Sequence, residues 1–227
     1  MRSTALAFTL ALAPFVVACS STPKHKQLEP SGFLKQWDEL QPVDDPDRPG
    51  ALRYMKPNLD LSKYDSVCVP TPAILVDPEK VGIKPQEMIG VADDFVLSIH
   101  RALTPDYQLV EKPGPKTIVI RAAITDFEKT GGLDQAMRAL TGPGEGTMGV
   151  DPKYETRSIQ IDGMGIEAEL LDGETHERLV ALAEYQKAKH LRSSRYETWG
   201  TIQSALDFWA ERLREALDQA HAMHPPG

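Results

Sequence analysis

Thr117-Ile118-Val119-Ile120-Arg121-Ala122-Ala123-Ile124-Thr125-Asp126-Phe127 alternates with a period of two. Ile118, Ile120, Ala122 and Ile124 fall on one face, and Arg121 and Thr125 fall on the other. That pattern predicts a strand with one face on a core. A second run, Ile159, Ile161, Ile166, Ala168 and Leu170, predicts another long strand, with Gly163 or Gly165 as the site of a bulge. Asp172-Gly173 supplies a turn, and Leu179 to Lys187 returns as the partner strand. This antiparallel run decides the fold class.

Outward from it lie two helices and two brief strands. Met88, Ala92, Phe95, Val96, Ile99 and Leu103 recur at helical spacing after Pro85, and Pro105 ends the helix. Trp199, Ile202, Leu206, Trp209, Leu213, Ala216 and Ala220 step by three and four, with Ser194 and Glu197 as a capping box before them. Arg214 and Asp218 are spaced to pair one turn apart. Ser66 to Val69 and Tyr107 to Val110 read as short strands. The chain is predicted to be α+β: a two-layer sandwich with a mostly antiparallel sheet of about four to five strands and two main helices packed on it.

One globular domain spans 31–221, and 222–227 form a tail. Residues 31–64 carry Pro42, Asp45-Pro46, Pro49-Gly50 and Pro57. They read as an extended wrap held by Phe33, Leu34, Trp37, Leu40 and Tyr54. Residues 129–156 read as a mobile Gly-rich insertion, because sparse large apolar side chains give little burial to offset the entropy of ordering.

The chain opens with Arg2 and an apolar run from Ala5 to Ala18 that ends at Val16-Val17-Ala18-Cys19. The run is too short for a stable membrane span and reads as a signal peptide over 1–18. Small residues before a cysteine resemble a lipobox, in which Cys19 is lipidated and becomes the first mature residue. The resemblance implies three acyl chains, enough to anchor the protein without spanning the membrane. Residues 19–30 then form the lipidated cysteine and a polar tether of roughly 18 Å root-mean-square reach. Ser20 after the cysteine favours the outer membrane, with the domain facing the periplasm.

Removal of 1–18 deletes Arg2 and leaves 24 basic against 33 acidic side chains, a net charge of −9. That balance argues against nucleic acid as a partner. With Cys19 lipidated, Cys68 is alone and no intrachain disulfide can form. Cys68 is a reactive thiol or a buried strand residue, and Val67-Cys68-Val69 favours burial.

No set of residues carries recognisable chemistry. Gly144, Gly146 and Gly149 match a dinucleotide-binding spacing, but Pro152 blocks the helix that the motif needs. Asp44, Asp45 and Asp47 lack the glycine and distal glutamate of a calcium loop and read as a solvated turn. Asp93 and His100 stand about 10 Å apart along a helix, and Ser98 and His100 face apart. His25 lies in the tether, His176 and His190 follow turns or strand ends, and His221 and His224 sit in a fraying tail. The sequence assigns no catalytic residue, cofactor site or metal ligand, and its single site residue is Cys19.

Ser31-Gly32-Phe33-Leu34, Leu40-Gln41-Pro42, Arg53-Tyr54, Pro57, Leu61 and Lys63-Tyr64-Asp65 resemble the opening of a family of proteobacterial lipoproteins, domain of unknown function 3313. The later strands and the helix from Trp199 to Leu213 are similar too. The resemblance implies an envelope lipoprotein and brings no catalytic residues. The leading expectation is a tethered binding or adaptor domain, not an enzyme, that docks on another envelope protein. The alternatives are a carrier of a small apolar ligand held between helix and sheet, and an envelope enzyme whose site is assembled from distant segments.

Overall fold

The computed structural model describes residues 27–46, 48–81, 85–104, 106–129, 161–187 and 202–223. In chain order the elements are β1 (Gln41–Pro42), β2 (Leu52–Met55), β3 (Ser66–Cys68), β4 (Ala73–Ile74), α1 (Pro78–Val81), α2 (Pro85–Leu103), β5 (Gln108–Leu109), β6 (Thr117–Lys129), β7 (Ile161–Asp172), β8 (Arg178–Lys187) and α3 (Ile202–Met223). A 3-10 turn at Trp37–Glu39 precedes β1.

The architecture is α+β, with eight strands in one open sheet where four to five were expected. Their order is β1-β2-β8-β7-β6-β3-β5, and β4 continues the β6 edge beyond β3. The long ladders β6–β7 and β7–β8 are antiparallel, as the alternation predicted. The additional strands are short. β1 and β4 have two residues each and β2 has four, too few to show a period, and Pro42 sits on an edge strand, where its missing N–H is tolerated, whereas β3 and β5 fall where short strands were expected. β3 pairs in parallel with both β5 and β6, and α2 is the crossover that parallel strands require. The expected bulge is present opposite Gly165, but the extra residue is Thr125 on β6. A second irregularity adds Asp162 to β7 beside Gly163. A Cβ on Gly163 would lie 2.0 Å from the Tyr185 hydroxyl, so only glycine admits the Tyr185 ring there.

Both main helices pack on one face. Ile118, Ile120, Ala122 and Ile124 of β6 and Met164 and Ile166 of β7 meet Phe95, Ile99, Leu206 and Trp209 in the main core. The other face is covered near β8 by the N-terminal segment, where Leu34 and Leu40 pack on Ala181 and Ala183. The Glu167 carboxylate, 2% exposed, accepts the backbone N–H of Ser31 at 2.8 Å and of Leu34 at 3.1 Å. Arg121 bonds Glu169 at 2.6 Å and lies over the Phe33 ring. Two acidic residues on an alternating strand thus sit under a strap, not in solvent.

Candidate functional site

Of what was singled out from the sequence, the signal peptide with Cys19 and Ser20, His25, Asp47, Pro105, the insertion from residue 130 on with Gly144, Gly146, Gly149 and Pro152, Ile159, His190, Ser194, Glu197, Trp199 and His224 lie outside the described residues. Cys68 is buried in β3, its Sγ 3.6 Å from the Glu111 carbonyl, and burial pushes its thiol pKa up. That is an inert setting for a thiol. Ser98 accepts bonds from Gln203 at 2.9 Å and Arg101 at 3.1 Å and links the two helices. His221 is not in a fraying tail. It lies within α3, edge-on to the Tyr107 ring, with Nε2 3.0 Å from the Tyr64 carbonyl. Among the described residues no group of three His, Cys, Asp or Glu side chains could hold a metal ion, and no helix is long and apolar enough to cross a membrane.

The polar cluster around His221 is a brace. Arg214 bonds Asp218 at 2.7 Å, the Ala102 carbonyl at 2.8 Å and Asp106. It therefore ties α3 to the end of α2, where the last carbonyls lack helical partners. Tyr107 bonds Asp218 at 2.8 Å. Burial raises the Tyr107 phenol pKa above its ordinary value, and Asp218 adds to the rise.

The concave site lies elsewhere, on the helix-covered face of the sheet. A helix is about 10 Å across and strands stand about 4.8 Å apart, so each helix covers about two strands. Two helices therefore cannot roof the whole sheet. Between α3 and the β7–β8–β2 side a groove of about 360 Å³ remains. Ile166, Ala168 and Leu170 of β7 and Val180 and Leu182 of β8 form its floor. Trp209, Leu213, Ala216, Ala220 and Met223 of α3 form one wall, with Phe95 and Ile99 behind. Arg53 and Met55 of β2 form the other wall. Met55 and Met223 are 50% and 71% exposed, so the apolar surface continues to the opening.

Charges are set into this lining. Arg48 bonds the 1%-exposed Glu184 at 2.5 Å, and Gln186 also donates to Glu184. The Asp60 carboxylate accepts the Ser62 N–H at 2.9 Å and hydroxyl at 2.6 Å. The Trp209 indole N–H has no hydrogen-bond partner among the described residues. The sequence reading missed this groove. Arg53 and Met55 alternate with Leu52 and Tyr54, but four residues among turn signals do not announce a strand.

The fold and groove define a class: a single mixed sheet with two helices on one face, an N-terminal strap on the other, and a partly roofed apolar groove. The chain belongs to the family described as Protein of unknown function (DUF3313), whose model matches residues 29–213. It is 27% identical over 135 residues, 56% of its length, to the uncharacterized lipoprotein YdcL of Escherichia coli strain K12, and equally to that of strain O157:H7. The matched region spans 59% of those relatives. Among solved structures it is similar to the PelC dodecamer of Paraburkholderia phytofirmans in two crystal forms, with TM-scores of 0.38 and 0.37 at 12% identity. Those alignments cover 75% of this chain and 94% of the other.

Proposed function

We propose that this chain is a lipid-anchored envelope protein, acylated at Cys19 on the outer membrane and facing the periplasm, whose domain binds a small apolar ligand in the groove beside α3. The lipoprotein relatives support the anchored class. The ligand reading is carried by one observation: an apolar concavity of about 360 Å³ whose lining runs outward to the exposed Met55 and Met223. Ligand pockets range over ~300–1,000 Å³, are mostly apolar and carry a few polar groups. Leaving such a surface in water costs about 25 cal/mol per Å², so it is retained for an occupant. Of the three expectations from sequence, concavity favours the carrier over the adaptor.

The adaptor reading draws on a different surface. Ile89 and Leu97, 66% and 45% exposed, stand two turns apart on the outer side of α2 and suit contact with another envelope protein.

Nile red titration of a soluble form (residues 20–227) tests the ligand reading. Saturable fluorescence enhancement is expected in the wild type, and Ala168→Phe, which fills the floor, is expected to abolish it at an unchanged melting temperature. Equal enhancement in both proteins would overturn the reading.

A further inference from the structure

The groove has a polar end, and that end is basic. Three arginines line it. Arg48 is neutralised by Glu184. Arg53 is exposed, and its guanidinium has no ion pair or hydrogen bond with any described residue. Arg212 lies over the Phe208 ring at 5.2 Å, and its ion pair is a long one, 3.8 Å to Glu215 on the same helix, with both side chains more than a third exposed. Such a pair is worth little. Of the carboxylates of the lining, Glu184 is paired with Arg48 and Glu169 with Arg121, while Asp60 accepts from Ser62 and keeps its charge. Among the described residues, then, Arg53 has no ion-pair partner and Arg212 only a weak one, at an apolar groove in a chain whose net charge is −8.

Their placement is directional. Bonds from His221 to Tyr64 and from Tyr64 to Asp172 set the C-terminal turns of α3 at the Asp172 end of the sheet. Met55 pairs with Val180 near that end, and Arg53 pairs with Leu182 two residues farther along, about 7 Å. Arg212 stands three turns before Met223, about 16 Å along the helix. Both arginines therefore lie on the same side of the methionine pair, one on each wall.

We propose that the groove takes a single-chain amphiphile with a carboxylate head. The apolar tail lies between α3 and β7–β8 toward Met55 and Met223, and the head meets Arg53 and Arg212. Guanidinium groups suit this role, because they pair with carboxylates through parallel hydrogen bonds. The small volume favours one chain. The inference rests on the groove being the binding site proposed above.

Photolabelling of the full chain in isolated membranes tests it. Diazirine-bearing lauric acid and the matching lauryl alcohol are compared by mass-spectrometric mapping of β8 and α3 peptides. The acid is expected to label these peptides roughly tenfold more than the alcohol. Arg53→Gln combined with Arg212→Gln should lower acid labelling to the level of the alcohol, and lysine at both positions, which keeps the charge but not the paired hydrogen bonds, should restore only part of it. Equal labelling by acid and alcohol in the wild type, or an acid preference that survives the double glutamine variant, overturns the head-group assignment while leaving the groove intact. Absence of groove labelling by either probe overturns the groove reading itself, and this inference with it.

Discussion

Asp172 closes the β7–β8 turn with a fully used carboxylate. Oδ1 accepts the backbone N–H of Thr175 at 2.9 Å and of Glu174 at 3.0 Å, and Oδ2 accepts the Tyr64 hydroxyl at 2.7 Å. The Thr175 N–H first, and then the Tyr64 hydroxyl, outweigh burial and hold the Asp172 carboxyl well below the usual carboxylate range. Burial and Asp172 in turn push the Tyr64 phenol above its ordinary value. A folded-state pKa below the unfolded one gives stability that is present above about pH 4 and lost as pH falls through the folded value. Asp172→Asn is expected to lower stability at pH 7 by about 1–3 kcal/mol. It should also flatten the decline of stability between about pH 5 and 2. Urea melts across that range measure both, and equal acid slopes in the two proteins would contradict this account. Asp172-Gly173 was legible as a turn, but the bond to Tyr64 was not, because it joins residues 108 apart in the chain.

At the scale of the element, α3 shows how far a stripe can be read. Leu206, Trp209 and Leu217 are nearly fully buried in the core, with Trp209 also bordering the groove, whereas Leu213, Ala216 and Ala220 are less buried and line the groove. Periodicity finds the apolar side of a helix and cannot tell packed residues from residues left open. The Arg214–Asp218 pair was also legible, but its contacts with Ala102 and Asp106 come from the end of α2 and the turn that follows it. Trp209, 7% exposed, packs among Phe95, Ile99 and Ile166 in that core. Trp209→Ala is expected to cost about 3–5 kcal/mol, a large share of a domain's ~5–15 kcal/mol. Thermal unfolding of residues 20–227 should show a sharply lower melting temperature or loss of soluble protein. An unchanged melting temperature would place Trp209 at an interaction surface.

At the scale of the whole molecule, the strap and the groove occupy opposite faces of the sheet. The first strap residue in apolar contact, Leu28, follows Cys19 by nine residues, a span of at most roughly 30 Å. A domain anchored at Cys19 therefore stays within a molecular diameter of the membrane. Cys19→Ala is expected to abolish palmitate labelling and to release the protein from membranes or leave it unprocessed. Fractionation with labelled palmitate measures both, and equal labelling of variant and wild type would refute lipidation at this residue.

By itself the sequence determined the β6–β7–β8 meander, the two helices and their apolar sides, the buried place of Cys68 and the family. Each of these rests on local periodicity or on a contiguous motif. Only the tertiary structure decided the rest. The two-residue strands β1 and β4 exist because partner strands satisfy their backbone groups, and a segment that short has no pattern of its own. Glu167 reads as a solvent position until a strap 133 residues away brings N–H groups to it. The groove follows from a mismatch in width between two helices and eight strands, a property of the assembled layers that no stretch of residues carries.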